Sequence, residues 1–335
     1  MQDLLTESIQ SLFSDHATPA AVRRAETAGL DRTLWQHLCA GGFDRALAPE
    51  SAGGSGLALR DVAGMLQACG RFAAPVPLGE AMLAHAMAAA CGAALPAGVV
   101  TAGTARPTGD GIHASAVPWG ASGDWVLAVE PGVQAWVLPV AAAASQAHPG
   151  LGACGEVDLQ WPRQAAQAHW ALPAGLDWPA TGAALRSAQI AGALDAVLAM
   201  TLRYASDRCQ FGRPLAKFQA IQQQIAVLAE DTFAARMAAA LACDSAAGLP
   251  DAMAAAAAKV VASAAASRAC AVAHAIHGAL GITAEFDLQL FTRRLLAWRM
   301  QYGSETFWAA RVGKALLADD RPAWDFVRLV GAEPN

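Results

Sequence analysis

The sequence predicts a mostly helical protein with a small β domain set into its middle. Three observations carry that expectation. Apolar residues recur at helical spacing through roughly the first 97 residues. Between Gly98 and Gly175, glycine, proline and short β-prone runs replace that periodicity. Beyond it, long alanine-rich stretches joined by short connections read as an up-down bundle of four helices. The expected divisions are a helical domain over 1–97, a shortened β domain over 98–175 and a four-helix bundle over 176–335. A chain of 335 residues is long enough to hold two or three domains.

The elements follow in order. Leu4, Leu5, Ile9 and Leu12 form a first apolar stripe, Leu34, Trp35 and Leu38 a second, and Val62, Met65, Leu66 and Cys69 a third. Pro49 to Gly56 reads as a loop whose glycines are free to take positive φ, and Pro75, Pro77 and Glu80 mark the start of another helix. In the middle, strands are expected at Gly98–Thr101, Trp125–Val129, Ala135–Val140 and Glu156–Leu159. Trp119 and Trp125 are core residues or walls of an apolar cavity. Helices are then expected at Ala180–Tyr204, Ala216–Ala247, Asp251–Gly278, Leu288–Arg299, Glu305–Ala318 and Arg321–Val330. The alanine of the third of these requires close neighbours, in a subunit core or a dimer interface.

Composition narrows the function. Apolar residues make up 55% of the chain and charged residues 15%, which implies extensive buried surface, some of it between subunits. Lys259, Ser263, Ser267, Arg268 and His274 interrupt the most apolar stretch, so no membrane span is expected. The first residues carry Asp3 and Glu7 and no basic segment before an apolar one, so a cytoplasmic location is expected. Seven cysteines (Cys39, Cys69, Cys91, Cys154, Cys209, Cys243 and Cys270) stand singly and read mostly as reduced core thiols. A net charge of −5 without a basic cluster argues against nucleic acid. His274 and His277 lack the carboxylates of a metal-binding bundle, so no metal is expected. Arg293, Arg294 and Arg299 read as one basic helix surface, facing phosphates or making salt bridges.

The stretch Arg203 to Gln219 organises the site. It joins two amphipathic helices through a tight cationic turn and would gather Arg208, Gln210, Phe211 and Gln219 at a helix junction. Such a set suits a ligand with phosphates and a flat ring. Taken alone, it also fits a plain helix turn in which Arg208 pairs with Asp207 or Glu230.

Arg208, Phe211 and Gly212, followed seven residues later by Gln219, resemble the flavin-contacting segment of the acyl-CoA dehydrogenases. A second stretch, AIHGALGITAE from Ala275 to Glu285, resembles that family's Gln-x-His-Gly-Gly-x-Gly segment, with Ala275 in place of the glutamine. The Leu34–Trp35 helix and the Pro49–Gly56 loop resemble its N-terminal domain, whereas a Thr-Glu-Pro-type loop is missing around Arg106–Asp110. The resemblance implies an α,β-dehydrogenation of an acyl-CoA, with the β-hydrogen leaving as hydride to FAD. It assigns Arg208, Gln210, Phe211 and Gln219 to one FAD. It places His277, Gly278 and Gly281 near the adenosine diphosphate part of an FAD held mostly by a neighbouring subunit.

The catalytic base is where this chain departs from the family. The usual position, after Tyr302, holds Gly303, and the alternative lies near Gly182, followed by Ala183. Glu305 is a displaced candidate that also reads as an ordinary first-turn glutamate, and Glu285 and Asp287 look like residues of a helix start. This chain is similar to the base-less partner in bacterial heteromeric members that act on steroid side-chain thioesters. That likeness implies a homologous second subunit in a heterotetramer, an acyl-CoA substrate, and an electron-transferring flavoprotein as acceptor. A self-dimer using Glu305, or a non-catalytic interaction subunit without flavin, are the alternatives.

Overall fold

The computed structural model describes residues 2–148, 154–246 and 248–330. By their contacts the residues divide into two compact units. One holds Met1–Met65, Ala74–Pro179 and Ser245–Leu249; the other holds Leu66–Ala73, Ala180–Asp244 and Pro250–Asn335.

The first unit opens with α1 (Gln2–His16), α2 (Pro19–Ala28) and α3 (Arg32–Ala40). Their ends follow local chemistry. Thr18 accepts the N–H of Ala21 with Pro19 in the first position of α2, and Asp31 accepts the N–H of Leu34 at 2.9 Å. The buried row of α1 is Ile9 and Phe13, while Leu4 is exposed, so the first stripe lies one turn further on than its leucines indicate. Leu34, Trp35 and Leu38 are buried as their spacing requires. In the glycine loop a Cβ on Gly54 would lie 2.1 Å from the carbonyl of Ala48, so only glycine lets the two backbones touch. Helix α4 (Leu59–Arg71) buries Val62 and Met65 in this unit and Leu66 and Cys69 in the other. Helix α5 (Leu78–Ala90) starts directly after Pro77.

The sheet that follows has seven strands: β1 (Val100–Thr108), β2 (Gly111–Val117), β3 (Trp125–Glu130), β4 (Gln134–Pro139), β5 (Ala144–Ala147), β6 (Val157–Pro162) and β7 (Ala168–Ala171). Their order is β5-β6-β2-β1-β3-β4-β7, antiparallel throughout except for the β1–β3 pair. Four strands were expected. The additional ones, β2, β5 and β7, are rich in alanine, serine and histidine, and side-chain preference does not mark such segments as strands. Ile112, Val126, Trp136, Leu138, Leu159 and Trp161 form the core of the sheet. Trp119 is buried in the core rather than walling a cavity, and the indole of Trp125 donates to the carbonyl of Ala97 at 3.1 Å.

The second unit contains most of α6 (Trp178–Asp207), a two-stranded hairpin of β8 (Cys209–Gln210) and β9 (Arg213–Pro214), α7 (Gln219–Cys243), α8 (Ala252–His277), α9 (Leu288–Met300), α10 (Glu305–Leu317) and α11 (Ala323–Leu329). Helix α7 starts three residues later than expected, because Leu215–Lys217 forms a 3-10 turn, and its expected end at Ala247 lies outside the described residues. Helix α8 packs against α7, α9 and α10, and its alanines at 255, 258, 262, 265, 266, 269 and 273 are buried in that contact. Helices α6 and α8 are long and apolar enough to cross a membrane by length and composition alone, because alanine raises their hydropathy without large side chains. Their apolar windows are 72% and 56% buried inside the protein, as in core helices.

The last turns of α4 cross α6 backbone to backbone. A Cβ on Gly70 would lie 1.8 Å from the carbonyl oxygen of Gln189, and one on Gly192 would lie 1.8 Å from that of Gln67. Neither neighbour is a flexible side chain that can swing aside. Gly192→Ala is therefore expected to lower the unfolding free energy by about 1–3 kcal/mol or more. A urea midpoint unchanged from wild type would show that the crossing is looser than these distances require.

Candidate functional site

The hairpin after α6 is closed by the Arg208 backbone, whose N–H donates to Tyr204 O and whose carbonyl accepts from Leu215 N, both at 2.9 Å. Gln210 pairs with Arg213, leaving Phe211 (φ +52) and Gly212 (φ +79) as a two-residue tip. Positive φ at both central residues is the geometry of a type I′ turn, free for glycine and costing a phenylalanine roughly 1 kcal/mol. Phe211 is 90% exposed, so burial does not offset that strain. Its ring meets Phe218 edge-on at 6.2 Å, and the Arg213 guanidinium covers the other ring at 4.1 Å. Arg208, Gln210 and Gln219 are exposed at the same junction. Among the described residues no carboxylate pairs with Arg208; neither Asp207 nor Glu230 takes the role that a plain helix turn would give it.

Tyr204, one turn before Arg208, links this hairpin to the second motif. Its ring stacks on His277 at 4.4 Å and its hydroxyl donates to the carbonyl of His277 at 3.3 Å. His277 is 2% exposed, with Phe286 at 5.2 Å on another side. Its Nδ1 lies 2.8 Å from Ala273 O. A carbonyl only accepts, so Nδ1 carries the proton and Nε2 is a bare acceptor. That atom is buried with no hydrogen-bond partner, and burial pulls the imidazole pKa down, which keeps it neutral. A buried acceptor left alone is costly, and a hydroxyl or amino group of a ligand is what it lacks. Gly278 ends α8 at φ +60 with open space where a Cβ would stand, while Gly281 packs against His277 with no such room. Arg208, Phe211, His277 and Gly278 therefore lie on segments brought together within one chain. Gly281 is buried behind them.

Neither base position has space for a carboxylate. A Cβ on Gly182 would lie 2.1 Å from the Tyr302 ring, and one on Gly303 would lie 2.6 Å from Phe307 and 2.8 Å from the Trp308 indole. Gly303 also sits at φ +102, which side-chain-bearing residues rarely adopt. The Trp308 indole fixes the turn by donating to Tyr302 O at 2.9 Å. Glu305 does not reach into this space as a free base. The Arg299 guanidinium forks onto it, with Nε 3.0 and 3.1 Å from its two oxygens, and holds its carboxyl below the usual range. Asp287 directly precedes α9, as a helix-start residue does. The three arginines expected to share a basic surface are separated: Arg294 is fully buried and donates to Leu290 O, Arg293 donates to Gln289, and Arg299 serves Glu305. On α9 they fall on different faces, which adjacent numbering conceals.

Two features of the first unit were not foreseen. A cavity of about 540 Å³ lined by Arg32, Trp35, Gln36, Asp44 and Arg45 contains none of the residues expected to hold the cofactor. Beside it the buried Asp44 lies 3.7 Å from His85, with Cys39 on the other side. Burial and the Asp44 charge push the Cys39 thiol up to about 12, so it is no nucleophile, and burial takes His85 down to about 4. Cys39 and Cys209 are exposed, against the expectation of core thiols; all seven cysteines are free. Among the described residues no group of three His, Cys, Asp or Glu side chains is placed to hold a metal.

The Arg299–Glu305 pair makes a pH prediction. A carboxyl held below its unfolded pKa adds stability above that value and loses it as the pH falls through the folded one. Glu305→Gln should cost roughly 1 kcal/mol at neutral pH. The two proteins should converge below about pH 4, the ordinary glutamate range. A difference independent of pH in denaturation curves would remove the ion pair as its cause.

Residues 180–317 match the family profile described as acyl-CoA dehydrogenase, C-terminal domain, and residues 1–98 match the N-terminal domain profile of the same name. The chain is 32% identical over 300 residues to acyl-CoA dehydrogenase IpdE2 of Mycobacterium tuberculosis, covering 88% of this chain and 90% of that protein. In fold it is similar to a variant of the Tcur3481-Tcur3483 steroid ACAD, with TM-score 0.79 at 24% identity over 95% of this chain and 99% of that one. It is also similar to the ChsE4-ChsE5 complex from Mycobacterium tuberculosis, with TM-score 0.77 at 21% identity over 96% and 98%.

Proposed function

Because this chain belongs to the acyl-CoA dehydrogenase family, whose members are FAD flavoproteins, we propose that it is one subunit of a heteromeric dehydrogenase whose partner supplies the catalytic base. The observation that carries the reading is a contrast. The hairpin from Arg208 to Gln219 that would touch flavin is open, whereas both places for a base are glycine and already filled by Tyr302, Phe307 and Trp308. The ChsE4-ChsE5 relative, named as a complex of two differently named chains, supports the same arrangement.

FAD, when bound, would supply hydride acceptance from the β-carbon of the thioester. Arg208 would hold its phosphates with a guanidinium that no carboxylate neutralises, and Phe211 would offer a ring edge to its flat portion. His277, neutral and with Nε2 bare, would accept a hydrogen bond from a hydroxyl or amino group of the adenosine part. Gly278, whose own N–H is taken by the carbonyl of His274, would leave open room beside the backbone, and Gln210 and Gln219 would add amide contacts at the hairpin junction. The α-proton would pass to a carboxylate of the homologous partner. An electron-transferring flavoprotein is the expected electron acceptor, by analogy with the family. A self-sufficient enzyme using Glu305 is the weaker reading, because the Arg299 fork stabilises the ionised carboxylate and so weakens it as a base. A flavin-free interaction subunit leaves the strain at Phe211 and the orphaned Nε2 without a use.

Co-purification with the native partner is expected to give a yellow complex that bleaches on adding its acyl-CoA substrate, and a colourless active-site-free complex would overturn the reading. In that complex Arg208→Met should lose flavin. Phe211→Gly should also lose flavin while its stability stays within about 1 kcal/mol of wild type or rises, since glycine accepts the tip conformation without strain. Gly303→Glu should give no self-sufficient enzyme; turnover by that variant without a partner would show that the base position is merely vacant and not closed.

A further inference from the structure

Lys259 lies about two turns into α8 and is fully buried, at 0% exposure. Its Nζ is 2.8 Å from the carbonyls of both Trp298 and Arg299, and 3.2 Å from Ser263 Oγ. In a continuing helix those two carbonyls would accept from the N–H groups of Tyr302 and Gly303. Here the chain turns instead, with Tyr302 at φ +56 and Gly303 at φ +102, and the lysine takes over both acceptors. Helix α9 therefore ends where it does with its last carbonyls satisfied by a side chain from α8. Around the same turn, Arg186 of α6 donates to Gln301 at 2.7 Å and its guanidinium lies 5.7 Å from the Tyr302 ring centre.

We propose that Lys259 is a positioning residue for the α9–α10 turn: it holds the Tyr302 ring in its seat against Gly182, and it holds it more firmly without its extra proton than with it. The bearing of that turn on dehydrogenation rests on the functional reading above, whereas the proton linkage does not.

The hydrogen-bond inventory works in both states. A neutral amine has two N–H groups for the two carbonyls and a lone pair to accept the Ser263 hydroxyl. An ammonium has three N–H groups, so Ser263 must turn its hydroxyl away, toward the Arg299 carbonyl 3.4 Å off. The difference is charge. The groups facing Nζ are Arg186 of α6 and Arg299 of α9, which oppose a further cation, and Glu305 of α10, which favours one while committed to Arg299. Burial, with Arg186 second, brings the lysine down to about 7. Opening the turn would return the amine to water, where it regains a proton. Closure thus releases a proton: it is favoured as the pH rises from about 7 toward the ordinary lysine value, by up to about tenfold per pH unit. Below about 7 both states hold the proton and the dependence ends.

The chain has only three lysines, Lys217, Lys259 and Lys314, which makes the test direct. The full chain, alone or in its complex, is grown with lysine carrying 13C at Cε, and the three signals are followed from pH 5.5 to 10.5, assigned through Lys217→Arg and Lys314→Arg. One signal is expected to titrate near neutrality. Hydrogen exchange at residues 301–304, corrected for its intrinsic chemical rate, should show protection rising about tenfold per unit between about pH 7.5 and 9.5. Lys259→Met should flatten that slope. A Lys259 signal that changes only at the alkaline end overturns the proposal. So does a neutral midpoint without a slope in exchange, which would make the lysine a cap and nothing more. Should Lys259→Met fail to fold, the wild-type titration and exchange still decide. Neither measurement needs flavin, so a colourless complex with the native partner that shows these signatures would sink the functional reading and leave the clamp standing.

Discussion

The constraint on which the second unit depends is how closely other helices approach α8. Its alanine face packs against α7, α9 and α10, and the small side chains along it let those helices approach closely. Such packing excludes water, so each polar group left inside must find a partner in the protein. Lys259 finds two carbonyls and a serine, and Arg186 finds Gln189 and Gln301. These partners are the end of α9 and the turn after it. A dry, small-residue interface thereby dictates where α9 stops, and the stopping point dictates where Tyr302 lies.

The same economy of space governs the turn around Tyr302, which three elements fill together. Gly182 on α6 admits the Tyr302 ring; the left-handed turn through Tyr302 and Gly303 delivers that ring; and Phe307 and Trp308 on α10 occupy the volume a side chain at 303 would need. Each piece presupposes the others. A larger residue at 182 would eject Tyr302, and a tyrosine forced out of its seat would release the turn that Trp308 ties down through its indole. The site is closed by packing, a stronger condition than missing one carboxylate.

Much of this was legible in the sequence, for identifiable reasons. The C-terminal helices were readable because capping residues mark their ends: Asp251 accepts from Met253 and Ala254, Ser304 accepts from Phe307, and Gly278 stops α8. The hairpin at Phe211 was readable as a tight turn because glycine follows an aromatic between two polar residues. The sheet was only half visible, since β2, β5 and β7 are strands by tertiary pairing and not by side-chain preference. Within the site, the glycines at 182 and 303 showed what was missing. They did not show what had filled the gap, because Tyr302, Phe307 and Trp308 arrive there through a turn with positive φ at two successive residues. Likewise Arg293, Arg294 and Arg299 looked like one surface until α9 gave each a different face.

The two ends of the bundle also differ in what they ask of the chain. Around Tyr302 the indole of Trp308, the amine of Lys259 and the guanidinium of Arg186 each find an acceptor in the turn, which ties it to three helices. Around Phe211 the reverse holds: an aromatic ring stands in water on a left-handed backbone, a guanidinium beside it lacks a carboxylate, and a buried imidazole nitrogen one turn away lacks a donor. The left-handed phenylalanine and the buried nitrogen each cost folding free energy in the isolated chain, of order 1 kcal/mol apiece, whereas the exposed guanidinium is solvated. They coincide on segments joined by the Tyr204–His277 stack. The proposed cofactor would meet the chain at this end, with phosphate for the arginine and a flat surface for the ring, and not at the packed turn around Tyr302.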